Sequence, residues 1–115
     1  MESTATLKKI KIKTGVLTRN VKEYKGYNTE VFKLTEKLEA LKLESDDAGK
    51  IRQTEEVLAE SMAMLPNCKS RIQASIDDLE ANMVGIEGQE ETEEVVSAEK
   101  ALAEAKAFLE TIWLT

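Results

Sequence analysis

The sequence predicts an all-α protein, an antiparallel three-helix bundle with coiled-coil-like heptad packing, on three observations. Apolar residues recur every seven positions along three separate segments, which is the seam signal of helices packed side by side. Helix breakers gather at two places between those segments, so the chain turns twice. Aromatic residues make up only 4% of a chain that is 42% hydrophobic, so the core is aliphatic. At 115 residues there is material for one domain. The expected organisation is a single bundle over residues 1–115, with helices at roughly 5–43, 47–84 and 90–113.

In the first segment one set of seam positions reads Leu7, Thr14, Val21, Asn28 and Thr35, and the other reads Ile10, Leu17, Tyr24, Val31 and Leu38. Leu34 and Leu41 widen the stripe. Gly15, Gly26 and three polar seam residues weaken this helix, each glycine by about 1 kcal/mol relative to alanine. It therefore depends on its neighbours. Residues 44–50, Glu-Ser-Asp-Asp-Ala-Gly-Lys, supply cap formers and a glycine, a turn between two periodic segments.

The second segment places Ile51, Leu58, Leu65, Ile72 and Leu79 at one seam position and Met62, Ile76 and Met83 at the other, with Glu55 and Lys69 as exceptions. Pro66, the only proline, lies inside this segment. Proline removes a backbone donor and clashes with the preceding turn, so a kink is expected there. A bend would rotate the buried stripe from Lys69 to Cys68, which is small and apolar enough to take its place.

Gly85 and Gly88 end the second helix, and Gly85 is placed to form a left-handed C-terminal cap. The acidic stretch Glu87 to Glu94 follows, and carboxylates there complement the positive end of the next helix dipole. The third segment sets Val95, Leu102 and Leu109 against Ala98, Ala105 and Ile112. At about 1.5 Å per residue the first two helices span roughly 55 Å and the third roughly 36 Å. The third helix should therefore stop near Met62 or earlier, leaving residues of roughly 32–58 as a two-helix stalk. Phe32, Leu34, Leu41 and Val57 would then be only partly covered, and such apolar surface is a candidate protein-binding site.

Several function classes find no support. With no histidine and one cysteine there is no zinc ligand set, no Cys-His or Ser-His nucleophile pair and no imidazole base. Five scattered glycines form neither phosphate-loop spacing. The expectation is no enzyme, no cofactor and no metal. Cys68 alone cannot form an intramolecular disulfide, which fits a reducing compartment, and no apolar run approaches the length that crosses a bilayer. The first 25 residues carry seven basic and two acidic side chains, whereas residues 45–115 carry six basic and sixteen acidic ones. Lys8, Lys9, Lys11, Lys13 and Arg19 form a basic stripe, yet it lacks interleaved aromatics and the acidic remainder repels phosphate. Neither nucleic acid nor membrane is expected as a partner.

Two blocks of residues carry a resemblance. Lys11-Ile-Lys-Thr-Gly-Val16, Arg19, Val21-Lys-Glu23, Tyr27 and Glu30 form the first, and Gln53, Glu55, Leu58, Glu60-Ser61, Met64-Leu-Pro-x-Cys68 and Arg71 the second. Together they resemble tubulin-binding cofactor A over residues 8–80; beyond that the likeness is only helical character. The resemblance implies an antiparallel three-helix bundle that binds β-tubulin released from the cytosolic chaperonin and holds it for assembly of αβ heterodimers, without nucleotide hydrolysis. It implies a cytoplasmic location associated with the microtubule cytoskeleton, and other tubulin-folding cofactors as further partners. The contacts it implies are Glu60, Ser61, Met64, Pro66, Asn67 and Arg71 around the bend, then Lys11, Lys13 and Arg19 toward an acidic partner. The family usually carries arginine where this chain has Met62 and aspartate where it has Asn67. An arginine does not suit a buried seam, so the Met62 position is either partly exposed or turned outward by the bend. The alternative is a structural coiled-coil adaptor or self-associating bundle; a monomer is expected, with a dimer as the other possibility.

Overall fold

The computed structural model describes the backbone of residues 2–113 and the side chains of residues 4–112; the expected domain limits at residues 1 and 115 lie outside them. The regular structure among the described residues is entirely helical, with α1 at Glu2–Glu44, α2 at Ala48–Asn82 and α3 at Glu93–Trp113. The all-α class read from the sequence is the class observed.

Side-chain caps set the turns. Ser45 Oγ accepts the Asp47 N–H at 3.0 Å, and Asp47 Oδ1 accepts the Lys50 N–H at 3.1 Å. Asp47 is thus the N-cap of α2, satisfying a donor that the first turn leaves without a helical partner. Beyond α2, Gly85 and Gly88 take φ of +88° and +85°, the left-handed region that side-chain-bearing residues avoid. Thr92 caps α3: its carbonyl accepts the Val96 N–H at 3.0 Å and its Oγ1 accepts the Val95 N–H at 3.4 Å. The threonine, rather than the acidic run, sets the helix start. Only Glu93 and Glu94 of that run fall in the first turn, where they face the positive dipole end.

The chain divides into two compact units, one holding the residues up to 22 and from 69 onward, the other residues 23–68. In the first unit Ile10 and Leu17 of α1, Ile72, Ile76 and Leu79 of α2, and Val95, Ala98, Leu102, Ala105, Leu109 and Ile112 of α3 are buried. Full burial stabilises each large aliphatic side chain by about 1.5–3 kcal/mol. The pairing of Lys13 with Asp78 and of Asn20 with Ser75 runs α1 and α2 in opposite directions. Lys106 of α3 reaches Glu80 of α2.

The second unit is a helical hairpin, residues 23–44 of α1 and 48–68 of α2. Its buried side chains among the described residues are Tyr24, Thr54, Ser61 and Cys68. Val31, Leu34, Leu38, Leu41, Ile51, Leu58 and Leu65 are each half-buried, because α3 belongs wholly to the first unit. Two helices leave large aliphatic side chains partly open to solvent, whereas small ones on the seam, such as Thr54 and Ser61, are closed off. Hydrogen exchange is therefore expected to be faster for the hairpin amides than for residues 72–79 and 95–112, because local opening is easier where little apolar surface is buried. Equal protection of both regions would contradict this.

Polar seam residues are accommodated within their own helices. The hydroxyls of Thr14, Thr35, Thr54 and Ser75 donate to the carbonyls of Ile10, Val31, Lys50 and Arg71, four residues back, at 2.7–2.9 Å. The Thr14, Thr35 and Thr54 hydroxyls are thereby satisfied within their own helix, Ser75 Oγ also accepts from Asn20 Nδ2 of α1, and no buried side-chain polar atom among the described residues lacks a hydrogen-bond partner.

Candidate functional site

The expected contacts fall in both units. In the hairpin, Glu60, Pro66 and Asn67 are exposed and Met64 is half-buried. Glu60, Met64 and Asn67 follow one another by four and three residues, so they lie along one face of α2. Ser61 lies inside, 7% exposed, and its side chain is not available as a surface contact. α2 remains helical through Pro66.

Met62 needs correction as a seam residue, since it is 53% exposed. The seam instead follows Thr54, Ser61 and Cys68, which recur every seven residues and are all buried. Small side chains thus fill the seam at this spacing, and the larger Met62, one residue on, is turned about 100° away. The period of seven was visible in the sequence, but a search for apolar residues passes over threonine and serine. Of the two positions beyond Pro66, Cys68 is the buried one and Lys69 is half-buried.

In the first unit Lys11 and Arg19 are exposed. Lys11 lines a small cleft with Thr14, Glu93, Glu94 and Ser97. Lys13 Nζ lies 2.9 Å from Asp78 Oδ2 with both side chains part-exposed, a pair worth about 0–1 kcal/mol. The Arg71 carbonyl accepts from Ser75 Oγ at 2.8 Å and from Asn20 Nδ2 at 3.4 Å. Asn20 also donates to Ser75 Oγ. This link between α1 and α2 had no signal in the sequence, because an asparagine between heptad positions reads as surface.

Tyr24 and Cys68 are buried in the hairpin, 6% and 1% exposed. Burial raises the Tyr24 pKa above its ordinary 10.0, and the charge of the Cys68 thiolate adds to the rise. The folded state therefore holds the phenol proton more tightly than the unfolded chain does. Stability tied to neutral Tyr24 is complete below pH 10.0 and is lost as pH rises through the higher folded value. Tyr24→Phe is expected to flatten that alkaline decline in urea unfolding followed from pH 8 to about 11; an unchanged slope would refute the assignment.

Among the described residues no group of three or more His, Cys, Asp or Glu side chains could hold a metal ion. No helix of the described residues is long and apolar enough to cross a membrane. What the arrangement offers is surface: an acidic hairpin with part-covered apolar side chains, and a basic stripe on α1 of the other unit.

Comparison with known proteins adds to this geometry. The family described as Tubulin binding cofactor A matches residues 5–102. Tubulin-specific chaperone A of Mus musculus is 37% identical over 100 residues, covering 87% of this chain and 93% of that protein. Tubulin-folding cofactor A of Arabidopsis thaliana is 34% identical over 104 residues, covering 89% and 92%. The crystal structure of the Arabidopsis thaliana cofactor superimposes with a TM-score of 0.81 at 32% identity, over 90% of this chain and 98% of that one. The structure of human tubulin chaperone cofactor A gives a TM-score of 0.74 at 36% identity, over 88% and 98%.

Proposed function

The chain belongs to the tubulin binding cofactor A family, and from that premise we propose that it binds and holds β-tubulin after release from the cytosolic chaperonin, on the path to αβ-tubulin heterodimers. The observation that carries this reading is the family match across residues 5–102, which takes in parts of all three helices. The role is stoichiometric: bundle surface covers β-tubulin surface that later meets other partners, and no bond is made or broken. The protein works in the cytoplasm in association with the microtubule cytoskeleton, as a monomer, and hands its client to other tubulin-folding cofactors.

The contacts are Glu60, Met64, Pro66 and Asn67 on the hairpin, and Lys11, Lys13, Arg19 and Arg71 on the other unit. Ser61 is left out because its side chain is buried. Lys13 must exchange Asp78 for its partner, so its net contribution is smaller than that of Lys11 or Arg19. Exposed charges of this kind raise the association rate more than the affinity, and their effect fades with salt.

Gel filtration of the protein with β-tubulin and, separately, with α-tubulin tests the reading. A complex with β-tubulin alone is the expected result; equal retention of both, or of neither, would overturn it. Sedimentation of the protein alone at rising concentration checks the monomer.

A further inference from the structure

Phe32 and Met62 are large apolar side chains left 65% and 53% exposed in the hairpin, and their positions are related. α1 ends at Glu44 and α2 begins at Ala48, so Tyr24 and Cys68, each about twenty residues from those ends, lie at the same level of the hairpin. Stepping eight residues toward the turn from each brings Phe32 level with Glu60, two residues from Met62, an axial offset of about 3 Å. Phe32 follows the half-buried Val31 and Met62 follows the buried Ser61, so each is turned about 100° from its seam in the direction of the chain. Because the two helices of the hairpin are antiparallel, equal rotations carry both side chains to the same face. Pro66, exposed four residues after Met62, extends that face.

We propose that this face of the hairpin is the docking surface for an amphipathic helix of the β-tubulin client, with an aliphatic stripe toward Phe32, Met62 and Pro66 and basic residues at its edges. The inference rests on the β-tubulin reading and deepens it. A helix fits for a reason visible within the first unit, where α1 and α2 are covered by α3 through a stripe of residues three and four apart, Val95, Ala98, Leu102, Ala105, Leu109 and Ile112. The hairpin offers the same kind of helix pair, and no third helix of the chain belongs to it. An aromatic ring and a flexible thioether are the anchors suited to such a groove. Charge favours a helix with basic flanks: Glu55, exposed and seven residues before Met62, lies on the same side of α2, and residues 23–68 as a whole hold ten acidic and six basic side chains. A second copy of α3 is disfavoured, since residues 93–113 hold five acidic and two basic side chains.

The test measures β-tubulin capture by the full chain and by Phe32→Asp, Met62→Asp and Glu55→Lys, with Val84→Asp, 81% exposed in the first unit, as control. Both aspartate variants should keep their helicity and melting temperature, because the replaced side chains are exposed, while capture weakens about tenfold or more. Glu55→Lys should weaken capture and Val84→Asp should leave it unchanged. Capture unaltered by Phe32→Asp and Met62→Asp, or strengthened by Glu55→Lys, overturns the docking face while the β-tubulin reading stands. If the unaltered chain captures no β-tubulin, that reading falls and takes the docking face with it. Concentration-dependent dimerisation abolished by Phe32→Asp would assign the face to a second copy and overturn the proposal.

Discussion

Ile72→Ala is expected to lower the stability of the protein by about 2–5 kcal/mol, the range for removing a large aliphatic side chain from a closed core. Ile72 is 0% exposed and lies in the unit that three helices enclose. Truncation there loses both the transfer free energy of the side chain and the contacts of the atoms around the cavity. Small domains have total stabilities of about 5–15 kcal/mol, so the loss is a large fraction and should lower the midpoint of thermal unfolding by about 10 °C or more. Leu58→Ala, in the same helix but half-buried in the hairpin, should cost less because water already reaches that site. Circular dichroism melts of the two variants decide the point. Equal losses would mean that the hairpin seam is as closed as the bundle core.

That contrast was partly legible in the sequence, and its limits have physical causes. Helix number and class followed from apolar period and breakers, because amphipathic helices advertise their buried stripe at a fixed spacing. The partial exposure of Phe32 and Val57 followed from helix length alone: a third helix of roughly 36 Å cannot cover two of roughly 55 Å. The start of α3 was obscured because carboxylates mark the neighbourhood of a helix N-terminus, whereas a single hydroxyl, that of Thr92, fixes the residue. Met62 was misplaced because methionine is apolar and sat at a permitted heptad position, while its neighbour Ser61 carried the seam. Small hydroxyl residues satisfied by their own helix read as surface in a composition-based search.

The candidate contacts were legible only through resemblance. Charge and exposure can mark Lys11 or Glu60 as available, but any solvated helix face looks the same. The two motif blocks end by residue 80, yet the family match runs to residue 102. In α3 many residues satisfy the same packing requirement, so likeness there rests on a spacing of apolar positions more than on recognisable motifs. Ser61 shows the converse limit, since it belongs to a recognisable motif and is nonetheless buried. Its place in the pattern is explained by its position on the buried seam, seven residues from both Thr54 and Cys68.

Pro66→Ala is expected to stabilise the protein by about 2 kcal/mol. Proline within a helix costs about 3 kcal/mol relative to alanine, and the alanine N–H can bond the Met62 carbonyl one turn back, which the pyrrolidine ring cannot. Against this, proline restricts the unfolded chain, a benefit of about 0.4–1 kcal/mol that the substitution gives up. The side chain is exposed, so no core packing is lost. Urea unfolding measures the gain, and no gain would mean that the packing of α1 on α2 requires the proline. β-Tubulin capture by the same variant separates shape from use. Higher stability with unchanged capture would make the proline a tolerated irregularity, whereas higher stability with weaker capture would show that Pro66 itself, or the geometry it gives α2, serves the client-binding face.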